Sequence, residues 1–350
     1  MMDLKEKIKK VVSVHSPSGA EDVLRSYLKE MLSYHADRIN EDDLGNLIIY
    51  KDAVHKDGAK TIMLIAHMDE VALMISNIDA SGYARVVKVG GVDVNIMRGR
   101  NVVILHDDQE VPGVIGTIPA HMLKEAPKKD WEFADLWIDL GYTNAREAAE
   151  HVSVGDYVLM DVGYRELANN CFCAKACDNK AGVVVLWELL EKISSYNDLC
   201  ANVVLVFSAQ EEVGLRGAEV AAFSIRPDVC IAIDEAHASD YPNICVNKYG
   251  DIRIGGGPVV PIGTSFSSQV QKSIMQVAQN SGMPFQRLAL PSFSGTEATA
   301  VQTSGAGCLT GLVSIPCRYM HSPVEVVSTD DIENCADLLY KYVIQFGSNK

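Results

Sequence analysis

The sequence predicts an α/β protein, a mostly parallel mixed sheet flanked by helices, with a small β domain inserted into it. Three observations predict this. Short apolar runs at 61–66, 201–209, 229–233 and 308–316 are bounded by polar or Gly residues, the pattern of strands buried on both faces. Amphipathic segments follow these runs at helical spacing. Between 71 and 163 the texture changes to short strand-like segments separated by turn residues, the signature of an all-β module.

Taken in order, Ser18 and Glu21 have capping-box spacing and open a predicted helix to about Tyr34. Its apolar face would carry Val23, Leu24, Tyr27, Leu28 and Met31. Gly45 and Asn46 then turn into a strand at 47–50, which leads to the run before His67. Within the β module, strands are expected at 71–78, 83–89, 101–106, 111–118, 136–139 and 157–161, with one helix at 144–152. A single continuous domain with long loops is the plainer alternative. The reading adopted is a discontinuous domain of 1–70 plus 164–350, interrupted by 71–163. A run at 172–177, less clearly a strand, leads to a helix at 181–192. Further helices are expected at 218–223, 265–281 and 296–303. Ser328 caps the last, which runs to about Phe346.

The 350 residues are 48% apolar and 22% charged, ordinary for a globular chain long enough for two or three domains. A net charge of −15 excludes the basic footprint of a nucleic-acid binder. No run reaches the length of a membrane span, and 1–10 lacks the apolar stretch of a secretion signal. A cytoplasmic location is therefore expected. The nine cysteines are then free thiols; Cys171, Cys173 and Cys177 lack the paired spacing of structural zinc.

The chemistry gathers where the runs stop. In such sheets ligands bind beyond the carboxyl ends of the strands. The first run ends at His67 and Asp69, the second at Glu211 and Glu212, the third at Asp234. The 172–177 run ends at Asp178, and the 308–316 run leads through a short turn to His321. A metal-bound His commonly donates its other ring N–H to a carboxylate, and Asp69 is close enough to His67; a His and an Asp in a surface loop is the alternative. Asp178 reads equally as a helix N-cap or as a carboxylate able to hold two cations. Glu211 and Glu212 repel each other unless cations sit nearby; alternatively they open a helix, favoured by its dipole. In extended backbone their side chains diverge, so one could bind metal while the other moves protons. His321 alone is an unremarkable loop histidine, and convergence on one sheet edge is what gives these residues weight.

In this order the residues resemble the tetrahedral, or glutamyl, aminopeptidase family of dinuclear metallopeptidases. The resemblance covers nearly the whole chain and includes Ala66-His-Met-Asp-Glu70, Gly90-Gly91, Cys177-Asp-Asn-Lys-Ala-Gly182, Gln210-Glu-Glu-Val-Gly-Leu-Arg-Gly217 and His321-Ser-Pro-Val-Glu325. It implies two divalent cations, zinc or cobalt, bridged by Asp178. His67 and Asp234 would be terminal ligands, Glu212 and His321 would complete the coordination, Glu211 would be the general base, and Asp69 would orient His67. It also implies a PDZ-like shape for the inserted domain, a role for it in oligomerisation, and assemblies from dimer to dodecamer. Ala72, Asn179-Lys180 and Glu297 depart from the family pattern; none of them removes a ligand.

The implied function is hydrolysis of N-terminal residues from peptides, with no nucleic-acid or membrane partner. A dinuclear carboxypeptidase or N-acyl-amino-acid deacylase could use the same ligands. A glycosidase fits poorly, because its two carboxyls must flank a sugar bond about 5–9.5 Å apart, and adjacent Glu211 and Glu212 do not. A non-enzymatic assembly protein would leave an intact ligand set without purpose.

Overall fold

The computed structural model describes residues 2–55, 57–122 and 130–348. Its centre is an eight-stranded sheet in the order Arg38–Glu41, Leu47–Lys51, Asn202–Ser208, Thr61–His67, Val229–His237, Leu309–Cys317, Val259–Gly263, Gln286–Leu290. The four strands 202–208, 61–67, 229–237 and 309–317 run parallel. Antiparallel pairings to 47–51 and 259–263 make the sheet mixed. The central strands are apolar throughout because both faces are covered. One face packs on helices Leu4–Ser13, Cys177–Ser194 and Thr329–Gln345, through residues including Leu64, Phe207, Ile231 and Trp187. The other packs on Arg216–Ile225 and Glu297–Thr303 through Ile65, Val206, Ala232 and Leu312. Each fully buried Leu or Ile contributes roughly 1.5–3 kcal/mol of transfer free energy, so the sheet edge rests on a rigid base.

The 172–177 run departs from the expected sheet. Cys171–Ala174 is a strand, but it lies in a separate three-stranded antiparallel sheet between Arg165–Glu166 and Glu325–Ser328. Ala176 then turns through a left-handed conformation, φ 55°, and the helix starts at once. Asp178 is thus delivered from the side, while its neighbours come up from the sheet.

The first capping box also reads differently. The helix is Asp22–Leu32, and Glu21 at its N-cap makes no side-chain cap bond. Ser18 donates its hydroxyl to Asp69 instead, and Glu21 accepts the Gly19 and Gln210 N–H groups. Tertiary partners outcompete the local cap. The buried stripe is Leu24, Leu28 and Leu32, while Val23 is 66% exposed. A helix at Leu4–Ser13, closed by a capping box between Asp3 and Glu6, was hidden in a segment read only as charged.

Strands Ala72–Ile78, Ala84–Val89, Asn101–His106, Gln109–Ile115, Ile138–Asp139 and Tyr157–Met160 close into a six-stranded barrel. Its interior is filled by Leu73, Ile75, Val86, Ile104, Ile138 and Val158. The closure is narrow at Ile138–Asp139, which pairs Ala84 on one side and Val114 and Ile115 on the other. The barrel touches the α/β part near the sheet edge: the Tyr157 hydroxyl donates to the Ser18 carbonyl at 2.9 Å, and Gly91 reaches His321.

Candidate active site

His67 is the last residue of its strand, paired in register with Ser208 on the neighbouring strand. Beyond Ser208 the chain reverses through Gln210 at φ 58°, placing Glu211 and Glu212 over the same edge. Asp234 lies toward the end of the Val229–His237 strand. His321 sits in the loop after Leu309–Cys317, itself at φ 58°. Positive φ at non-Gly residues is uncommon and gathers at functional sites.

These distant stretches meet. His67 Nε2 lies 3.2 Å from Asp178 Oδ1 and 4.0 Å from both Glu211 Oε2 and Asp234 Oδ1. His321 Nε2 lies 3.2 Å from Asp178 Oδ2 and 3.3 Å from Glu212 Oε1. Asp178 therefore turns one carboxylate oxygen to each imidazole. Its peptide N–H is bound by Glu325 Oε2 at 3.1 Å, and the His321 N–H by the other oxygen of Glu325 at 2.7 Å. Glu325 ties the two halves of the cluster together. His321 Nδ1 is 3.1 Å from the Gly91 carbonyl, so the barrel orients that ring. A Cβ on Gly91 would lie 2.8 Å from it, which is why glycine is needed there.

Around His67 the geometry is more specific than expected. Nδ1 is nearest the backbone carbonyl of Asp69, at 3.1 Å, with the Asp69 carboxylate at 3.5 Å. That carboxylate accepts three other donors: the Ser18 hydroxyl at 2.6 Å and the N–H groups of Glu211 and Glu212 at 3.0 and 3.1 Å. One residue later, buried Glu70 accepts from Lys175 and Lys180, and Lys180 also donates to the Val14 carbonyl at 2.6 Å. Ser18, Glu70, Lys175 and Glu325 escaped notice as site residues. Glu70 and Glu325 lay within quoted motifs and Ser18 in a capping pattern, but their long-range partners leave no local sequence signal.

The electrostatics are those of a donor set awaiting cations. Burial pushes the Glu211 carboxyl up to about 10; His67 opposes this, and Asp234 and Glu212 add repulsion. Burial and Asp178 raise Asp234 well above the carboxylate range. Hydrogen bonds to Asp178 and Glu212 push His321 up to about 11. Burial disfavours charge on Asp178, yet His321 and His67 outweigh it and hold its pKa down. The cluster thus balances its own charge with protons where cations would otherwise do so.

The ligand atoms fall into three overlapping groups, each with all atoms within 4.8 Å of one another: His67 with Glu211 and Glu212, His67 with Asp178 and Asp234, and Asp178 with Glu212 and His321. Carboxylate oxygens and imidazole nitrogens are the donors zinc and cobalt accept. The residues fit divalent metal.

Comparison with known proteins shows the family. The family model for the M42 glutamyl aminopeptidases matches residues 45–338. A lysyl aminopeptidase of Pyrococcus furiosus is 32% identical, with 95% of this chain and 94% of that one covered. Among solved structures, an aminopeptidase of the archaeon Desulfurococcus kamchatkensis superposes with a TM-score of 0.90 at 34% identity, covering 98% of this chain and 94% of that one. The Pyrococcus horikoshii TET1 peptidase, described as assembling into a tetrahedron or a large octahedral shell, gives 0.87 at 30% identity, covering 98% of this chain and 100% of that one.

Proposed function

The chain belongs to the M42 glutamyl aminopeptidase family and is an aminopeptidase, and we propose that it removes N-terminal residues through two divalent cations with Glu211 as general base. The observation that carries this is Asp178, whose two oxygens face His67 and His321 at 3.2 Å each. Asp178 would bridge the pair. His67 and Asp234 would hold one cation, Glu212 and His321 the other. When bound, zinc or cobalt would acidify a shared water and polarise the scissile carbonyl.

The protein's own part follows from placement. Glu211 is buried beside the cluster, with Oε2 4.0 Å from His67. It takes a proton from the attacking water and delivers it to the leaving amine. Asp69 fixes the backbone of Glu211 and Glu212 and braces His67. Glu325 holds Asp178 and His321 in register.

The division into a catalytic part, 1–70 plus 164–350, and an inserted domain, 71–163, PDZ-like in shape and used in oligomerisation, belongs to the same reading. So does assembly of identical chains, up to a dodecamer, supported by the shells the related TET1 peptidase forms. No helix is long and apolar enough to cross a membrane among the described residues, which is compatible with a cytoplasmic enzyme.

Replacing Glu211 by Gln tests the central role. With peptides bearing a free amine, kcat should fall by about 10²–10⁴ while bound metal stays at the native level. Near-native turnover in that variant with metal bound would remove Glu211 from the mechanism. Cleavage of acetylated peptides in preference to free ones would favour the deacylase reading instead.

A further inference from the structure

We propose that this enzyme selects an apolar first residue, of leucine or methionine size, and discriminates against an acidic one. The inference rests on the aminopeptidase reading and adds its substrate class.

Two cavities meet at Asp178 and His321. The one along the sheet edge, about 770 Å³ with its open mouth, is walled beyond the cluster by Leu288, Leu290, Leu312 and Met320, with His237 and Thr296. The one toward the barrel, about 480 Å³ counting the open solvent at its mouth, is walled by Leu73, Val92, Met97, Val158 and Met160, with Lys175 and Glu70. A first-residue side chain entering either cavity meets a wall whose largest members are apolar, with the hydroxyls of Ser294, Thr296 and Ser314 on the sheet-edge side. Leu288 and Leu290 alternate along the edge strand Gln286–Leu290 and therefore face the same way.

An acidic side chain entering such a cavity needs a cation or several N–H donors, or it loses its hydration without compensation. Neither cavity has an arginine in its wall among the described residues. The single lysine, Lys175, is buried against the Glu70 carboxylate and is already paired. His237 offers one imidazole, and burial lowers its pKa toward the neutral form.

A basic first residue is not selected either. Glu235 contributes to the sheet-edge wall, but both of its carboxylate oxygens are enclosed and partnerless. With neither oxygen reaching the cavity, it offers a lysine side chain no ion-pair partner beside Leu288 and Leu290.

The test is a panel of tripeptides, Xaa-Ala-Ala with Xaa Leu, Met, Glu, Asp, Lys or Arg, given to the full-length chain loaded with zinc or cobalt. Leu and Met should exceed Glu, Asp, Lys and Arg in kcat/KM by about tenfold or more, the scale on which an apolar pocket discriminates. Glu or Asp at or above Leu would overturn the proposal, as would Lys or Arg. No release from any peptide would instead sink the aminopeptidase reading on which it rests. Leu290→Arg, Leu288→Arg and Met97→Arg then place a cation in one wall or the other. At least one should raise the Glu-to-Leu ratio about tenfold. An unchanged ratio in all those that keep the native melting temperature would show that these walls do not read the side chain.

Discussion

The Asp69 carboxylate accepts the backbone N–H of Glu211 at 3.0 Å. A residue adjoining one strand end thereby positions the residue proposed as base at the end of another. The same carboxylate holds Glu212 and Ser18. Asp69→Asn keeps the shape but loses the charge and half the acceptor capacity. Metal affinity and kcat/KM should each fall about 10–100-fold, measured by competition with a chromogenic chelator and by peptide hydrolysis. Native values of both would show that the bracing is unnecessary.

Gly91→Ala pushes a methyl group against the His321 ring, 2.8 Å from Nδ1. The variant is expected to keep the native fold, because Gly91 lies outside the barrel's buried interior. Affinity for one of the two cations should drop while the other remains, seen as biphasic binding in a calorimetric titration. Unchanged binding of both would mean that His321 does not depend on the barrel.

Glu70 carries a stability signature. Burial alone would raise its pKa, but Lys175 and Lys180 pull it down to about 2, against an ordinary 4.5. A depressed carboxylate contributes stability that is complete above its unfolded pKa and lost as pH falls through the folded one. The window is therefore about 4.5 to about 2, and the contribution is on the order of 3 kcal/mol. Glu70→Gln should be less stable than the native chain in urea at pH 7, with the gap narrowing below pH 4.5. A gap constant from pH 6 to pH 3.5 would contradict the pairing.

Removing metal should silence the enzyme without unfolding it, since the sheet core is apolar and independent of the cluster. Dialysis against a chelator should abolish hydrolysis, and added zinc or cobalt should restore it. The melting temperature should rise on reloading, because a ligand that binds only the native state stabilises it by mass action. Full activity after complete chelation would be incompatible with a metallopeptidase.

Much of this was legible in the sequence, for identifiable reasons. Runs such as Thr61–His67 and Asn202–Ser208 must be apolar on both faces, so the strands show themselves and their ends point to the site. His67, Asp178, Glu211, Glu212, Asp234 and His321 do converge, as the distances above record. The failures share a cause. Ser18 and Glu21 carry a local capping pattern, but Asp69 and the Gly19 and Gln210 N–H groups offer better partners. The 172–177 run was apolar because Phe172, Ala174 and Cys177 belong to the main hydrophobic core while the strand pairs in a small second sheet, and periodicity alone does not say which sheet a strand joins. Glu325 connects Asp178 to His321 across 147 and 4 residues, and the longer of those links leaves no trace in local spacing.

Anomalous diffraction at the metal edge from crystals of zinc-loaded protein tests the central claim most directly. The expected result is two peaks per chain flanking the Asp178 carboxylate, one beside His67 and Asp234, the other beside Glu212 and His321. A single peak, or peaks away from Asp178, would contradict the shared-carboxylate centre and the hydrolysis derived from it.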